Sequence, residues 1–210
     1  MTPQDLIDRA LAAGHDDPAR PLLVAAAIDL ALGRSFVVVG GTAVNLHTGS
    51  YRPTDIDLVG AITPRDRDAL TELGFRSEGR HLVLDSPSGA IPVEFPGGRL
   101  FEFATRPPDR IEVAPGIVVE VIALDDLMMD RLVQATDGSP VTRSEAVALA
   151  VAAYRRIDWA GLAERATGPT GVTAAAAEAL PHTLGDVRRA ARTHLRRGRR
   201  AAGRDEPRDS

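Results

Sequence analysis

Three carboxylates and a pair of glycines are the residues whose types and spacing allow chemistry in this chain. Asp55 and Asp57 flank a single isoleucine in Thr54-Asp55-Ile56-Asp57-Leu58. On an extended strand, side chains alternate between faces, so residues two apart point the same way. Two carboxylates so placed can clamp a hard cation that prefers oxygen, Mg2+ in the first place and Mn2+ in the second. Glu94, in Ile91-Pro92-Val93-Glu94-Phe95, is a third acid that a neighbouring strand can bring to the same ion, completing a one- or two-metal site. Upstream, Val37-Val38-Val39-Gly40-Gly41-Thr42 reads as a β-branched strand that enters a helix through two glycines. Gly40 and Gly41 let the backbone approach a phosphate closely, and the helix start offers amides and the positive end of its dipole. Thr42 adds a hydroxyl donor. The chemistry implied is phosphoryl transfer, in which a cation neutralises a polyphosphate and lowers the pKa of an attacking hydroxyl.

These residues need particular elements to position them. Apolar residues at helical spacing over 2–33, broken by a polar turn at 14–17, predict two opening helices. Residues 36–39 then form a short strand, and a helix over 42–47 starts directly on the glycines. The alternation of Asp55 to Val59 predicts the next strand, and Thr63-Pro64 reads as the cap and first residue of a helix that ends at Gly74. Residues 82–84, 90–95, 111–113 and 117–122 are further strands, separated by Ser-Pro, Pro-Gly-Gly, Pro-Pro and Pro-Gly turns. Glu102, Glu112 and Glu120 lie on or near such strands as well, each with an exposed edge as its ordinary explanation, as for Glu94. After residue 124 the pattern is helical throughout, over 125–135, 144–155, 159–166 and roughly 184–197. The expectation is an α+β fold: a mixed sheet flanked by helices over residues 1–123, a C-terminal helical bundle over 124–197, and a disordered Arg-rich tail over 198–210, which has almost nothing apolar to bury.

Composition narrows the function further. The 210 residues suffice for one catalytic core with a smaller appendage. There are no cysteines, so neither a disulfide framework nor a thiolate zinc site is possible and any metal must bind oxygen or imidazole. No apolar run reaches the ~18 residues that a membrane span needs, and the expectation is a cytoplasmic protein. Lysine is absent and all 25 basic residues are arginine, whose planar fork grips phosphate oxygens bidentately. Arg52, just before the acidic pair, and Arg131, on the first helix of the C-terminal part, are the candidate nucleotide-binding cations, with Arg143 a further one. The net charge of -4 conceals Arg188, Arg189, Arg192, Arg196, Arg197, Arg199 and Arg200 close together. That cluster is either a solvated helix end or a surface for a nucleic-acid backbone.

The order Gly-Gly-Thr, Asp-x-Asp and a later acidic strand, over about residues 36–95, resembles the nucleotidyltransferase superfamily whose core is similar to DNA polymerase beta. That resemblance implies Asp55 and Asp57 as metal ligands, Gly41 and Thr42 as the phosphate loop, and Glu94 as the acid that helps activate the acceptor hydroxyl, with a nucleoside triphosphate as substrate. Gly-Gly-Thr-Ala followed by Arg52, Thr54 and Asp55-Ile56-Asp57 looks most like the AbiEii and MenT-type toxins of bacterial toxin-antitoxin pairs. By that resemblance the acceptor is the tRNA 3' end and an antitoxin is a partner. In those proteins the first C-terminal helix bears a nucleotide-binding lysine, and here Arg131 is offered instead. Two other readings stay open: a transferase acting on a small-molecule acceptor, for which an acidic pocket is expected, and a catalytically silent fold serving as a binding module.

Overall fold

Reciprocal caps set the first and fourth helices. The Thr2 hydroxyl accepts from the Asp5 amide at 3.2 Å while the Asp5 carboxylate accepts from the Thr2 amide at 2.7 Å, which satisfies donors that a helix start leaves over. From this cap α1 (Pro3–Ala12) buries Leu6, Ile7 and Ala10. Helix α2 (Ala19–Leu32) buries every residue from Leu22 to Ile28, as a helix that is apolar on all sides must, and it ends on the left-handed Gly33. Thr63 and Asp66 repeat the reciprocal cap at the start of α4 (Pro64–Glu72). In this computed structural model the described residues are 1–49, 53–97, 104–168 and 172–202, the side chains of 199–202 excepted. The chain divides after Ala123 into two compact units.

The first unit is built on a seven-stranded mixed sheet of order β3-β4-β5-β2-β1-β7-β6. β1 (Val37–Val39) and β2 (Ile56–Val59) are its centre, antiparallel to one another, with α3 (Gly40–Thr48) between them in sequence. β5 (Ile91–Glu94) runs parallel to β2, and β7 (Ile117–Val121) runs parallel to β1. The edges are antiparallel additions, β3 (Phe75–Glu78) with β4 (His81–Leu84) on one side and β6 (Asp109–Ala114) on the other. Val38, Val39, Ile56, Leu58, Val93, Val119 and Val121 fill the buried centre. Asp55 lies in the bend just before β2 rather than on the strand itself.

One strand has no counterpart in the sequence pattern. Phe75-Arg76-Ser77-Glu78 has no β-branched residue, and it is extended because it pairs residue by residue with β4. Only Gly79 and Arg80 separate the pair; Gly79 has φ 58° and Arg80 is not among the positive-φ residues, the conformations of a type II′ hairpin with glycine at its first central position.

The second unit is helical, with α5 (Leu124–Gln134), a short 3-10 turn at Ala135–Asp137, α6 (Pro140–Ala153), α7 (Trp159–Thr167) and α8 (Ala174–Ala202). α8 starts ten residues earlier than its periodicity suggests and runs on past Gly198, where order was expected to end. Pro181 disguises the early part, since proline removes an intrahelical donor. The alanine-rich opening and the buried stripe Leu180, Leu184, Val187 and Ala191 hold the helix through it. The rest of the expected tail, 203–210, lies outside the described residues. Among the described residues no helix is long and apolar enough to cross a membrane.

Candidate metal and phosphate site

Strand register builds the site. His81 on β4 is the cross-strand partner of Glu94 on β5, Glu94 is the partner of Asp57 on β2, and Asp57 is the partner of Val39 on β1. Residues in register share a sheet face and lie about 4.8 Å apart from strand to strand. One row therefore runs His81, Glu94, Asp57, Val39 across four strands, and the chain leaves the end of β1 directly into Gly40 and α3.

Asp55, two residues before Asp57, closes on the outer half of this row. One ligating atom from each of Asp55, His81 and Glu94 lies within 4.8 Å of the other two. His81 Nε2 is 3.5 Å from Glu94 Oε2 and 4.0 Å from Asp55 Oδ2, and all three side chains are part-exposed. Arg80 Nε stands 3.3 Å from Glu94 Oε2, but its side chain is 71% exposed, so this surface ion pair is weak and easily given up. Two carboxylates and an imidazole are a donor set that suits a divalent cation.

Asp57 takes a different position from Asp55. A Cβ built on Gly40 would come within 1.8 Å of Asp57 Oδ2, so the carboxylate occupies the space that any side chain at 40 would need. Gly40 also has φ 62°, where L-residues are strained. Both facts require glycine here, and together they put Asp57 against the positive end of α3. The N-cap of α3 is Val39, whose side chain has no group with which to cap a helix. The first turn, Gly40 to Thr42, thus keeps the form of an anion cradle.

Thr42 is 1% exposed, and its hydroxyl donates to the backbone carbonyl of Asp55 at 3.1 Å. That bond ties α3 to the bend that presents the Asp55 carboxylate. Thr54 Oγ1 stands 3.4 Å from Asp55 Oδ1. Beside Asp55 opens a cavity of about 450 Å³, walled by Asp16 and Asp17 from the α1–α2 connection, by Arg20 from the first turn of α2 and by Thr42 and Asn45 from α3. Arg20 is buried and donates to Ser86 Oγ at 2.7 Å and to the Gly89 carbonyl at 3.4 Å.

Of the residues singled out from the sequence, Asp55 and Glu94 come together, Asp57 lies next to Glu94 in the row and against Gly40, and Gly40, Gly41 and Thr42 form the first turn of α3. Arg52 lies outside the described residues. Arg131, in the helical unit, is buried with its guanidinium on Asp130 at 2.6 Å and on Glu145 at 2.9 Å. To bind a phosphate it would have to leave both. Asp130 is buried to 2% exposure by the same pairing. Arg143 is paired with Asp186 at 2.8 Å.

His81 is the group that sequence reasoning missed. An isolated histidine in Arg-His-Leu-Val-Leu shows nothing, and the available signal was the Gly79-Arg80 hairpin, which fixes the register of β4 and brings His81 opposite Glu94.

Neither a family model nor a curated protein matches the chain. Among solved structures it is similar to an antigenic nucleotidyltransferase-like protein from Paracoccidioides brasiliensis, at 18% identity over 61% of this chain and 72% of that one, with a TM-score of 0.46. It is also similar to the antibiotic-resistance factor ANT(2'')-Ia, at 15% identity over 92% of this chain and 97% of that one, with a TM-score of 0.41.

Proposed function

We propose that this chain is a divalent-metal-dependent nucleotidyltransferase that moves a nucleoside monophosphate from a nucleoside triphosphate to a hydroxyl acceptor, with pyrophosphate leaving. The observation that carries the reading is the juxtaposition, through strand register, of the Asp55, Glu94 and Asp57 carboxylates with the first turn of α3. A cation site next to an anion cradle is what transfer of a phosphoryl group requires, because that chemistry is mostly positioning and charge neutralisation.

Asp55 and Glu94, with Asp57 beside them, would hold Mg2+ or Mn2+; when bound, the ion neutralises triphosphate charge and acidifies the acceptor hydroxyl. The amides of the first turn, at Gly40 to Thr42, face the phosphates. Gly40 has no side chain, and the space one would need is taken by the Asp57 carboxylate, which is thereby seated against the start of α3. Thr42 holds the Asp55 backbone, and Glu94 is the candidate to take up the acceptor proton. Arg52 remains a candidate cation for the triphosphate. Arg131, committed to two buried acids, is assigned to the structure of the helical unit.

In its finer form the proposal makes the acceptor the tRNA 3' end and the protein a cytoplasmic toxin held by an antitoxin. The support is the exposed arginine surface of α8, where Arg188, Arg189, Arg192, Arg196 and Arg197 all face solvent and can pair with a nucleic-acid backbone. A second reading has its own observation: the cavity beside Asp55 carries Asp16 and Asp17 in its wall. Acidic walls suit a small hydroxyl-bearing acceptor with amines.

The test incubates the protein with Mg2+ or Mn2+, each of the four labelled triphosphates and total bacterial RNA. Label in a tRNA-sized band, lost in Asp57→Ala, is the expected result. Label that appears only when an aminated sugar replaces the RNA supports the second reading. Absence of transfer to either acceptor overturns the proposal.

A further inference from the structure

His81 faces Glu94 across two hydrogen-bonded strands, and its Nε2 points at two carboxylates without closing on either: 3.5 Å to Glu94 and 4.0 Å to Asp55. An N–H···O hydrogen bond lies at about 2.7–3.2 Å, so these separations are too long for the groups to satisfy one another. Donors bound to a first-row divalent ion at roughly 2.1 Å lie about 3.0 Å apart at a right angle, ~3.4 Å apart at the tetrahedral angle and ~4.2 Å apart across the ion. The two separations from His81, 3.5 and 4.0 Å, fall in the range of donors around a shared cation, and Asp55 and Glu94 lie within 4.8 Å of one another. The backbone fixes it. The type II′ turn at Gly79-Arg80 sets the β3–β4 hairpin, the β4–β5 register places His81 opposite Glu94, and the Thr42 hydroxyl pins the Asp55 carbonyl. Arg80, whose Nε lies 3.3 Å from Glu94 Oε2, is largely in solvent and can swing away.

We propose that His81 is the nitrogen ligand of a mixed site with Asp55 and Glu94, and that this site selects a first-row transition ion of the manganese-to-zinc series over Mg2+. The inference rests on the reading of Asp55 and Glu94 as metal ligands and adds the ion's identity to it. Mg2+ is held by oxygen and water and gains little from imidazole, whereas the transition ions accept nitrogen readily. With His81 in the first coordination shell, Mg2+ becomes a weak substitute.

The experiment uses the full chain stripped of metal by chelation and reads binding alone. Co2+ and Mg2+ are titrated calorimetrically into the wild type and into His81→Gln, and Mn2+-loaded wild type is examined by electron spin-echo spectroscopy for coupling to an imidazole nitrogen. The expected result is nitrogen coupling in the wild type, lost in His81→Gln, with Co2+ affinity reduced tenfold or more and Mg2+ affinity changed less than threefold. Divalent ions that bind without nitrogen coupling, and equally well to His81→Gln, overturn the inference and leave an all-oxygen site and the proposed activity standing. A wild type that binds no divalent ion at all overturns both. Absence of nitrogen coupling in the wild type overturns the inference even if His81→Gln does not fold.

Discussion

In the helical unit, Arg131 holds Asp130 at 2.6 Å and Glu145 at 2.9 Å, and Arg165 holds Asp126 at 2.7 Å, all three acids being buried. In the sheet unit, Asp55, His81 and Glu94 are part-exposed, and the imidazole stands 3.5 and 4.0 Å from its two acids. Both regions gather charge, but a buried charge must be paired and hydrogen-bonded to be tolerated, while a half-exposed one can keep its capacity for a ligand. The α5 cluster has used its capacity on itself. The site at the edge of β2 has not, and the difference separates residues that hold the fold from residues free to bind.

The largest effect comes from breaking the paired region. Arg131→Met leaves Asp130 and Glu145 buried without their cation, and it is expected to cost about 3–5 kcal/mol in urea unfolding. Nucleotide affinity of the folded fraction should be unchanged. If instead stability were kept and triphosphate affinity fell more than tenfold, Arg131 would be the phosphate cation that the sequence resemblance implies, and the contrast between the two regions would fail.

That contrast also marks what the amino-acid pattern could disclose. Gly40-Gly41-Thr42 was legible because three residues at a helix start are neighbours in space, whereas Asp55-Ile56-Asp57 was legible only in part, since Asp55 lies in the bend before β2 and closes on His81 and Glu94 while Asp57 lies against Gly40. Glu94 was one of several strand glutamates, and pairing with β2 singles it out. Glu112, at the far edge of the sheet, accepts from the Gly116 amide at 2.8 Å. His81 was illegible since its role depends on β3, a strand that exists only through its partner. The helical unit shows the same limit. Periodicity revealed its helices, but not that Arg131 is buried against its neighbour Asp130 and against Glu145, fourteen residues on. Pairing over distance is settled by packing, and local patterns do not carry it.

Asp29 is the exception within the sheet unit, a mostly buried carboxyl that is only half satisfied. Its Oδ1 accepts from the Phe36 amide at 3.0 Å, and its Oδ2 has no hydrogen-bond partner among the described residues. Burial, opposed by that one bond and assisted by the charge of Glu120, pushes its pKa from 3.8 up to about 7. The folded state therefore binds the proton more tightly than the unfolded chain does. The stability this contributes is fully present below about pH 4 and is lost as pH rises through about 7. The full difference corresponds to a ceiling of roughly 4 kcal/mol, and solvent reaching the side chain reduces it to about 2 kcal/mol. The melting temperature should fall between pH 5 and 8, and Asp29→Asn, which keeps the acceptor for Phe36, should flatten that slope. An unchanged slope in the variant would mean that Asp29 is ionised and hydrated throughout.

The smallest effect tests whether Thr42 belongs to the paired or the available groups. Its hydroxyl is buried and already donates to the Asp55 carbonyl, so Thr42→Val removes the donor at nearly constant shape and should cost about 1 kcal/mol. Because that bond positions the bend presenting Asp55, transfer activity and divalent-ion affinity should fall together, by about tenfold, and Thr42→Ser should restore both, since it restores the bond. A loss of stability alone would reduce Thr42 to a tie between α3 and β2. A loss of activity of a thousandfold at unchanged stability and unchanged ion affinity would mean that the hydroxyl leaves Asp55 for the phosphate when the nucleotide binds. Thr42 would then pass from the residues that position the site to those that touch the substrate.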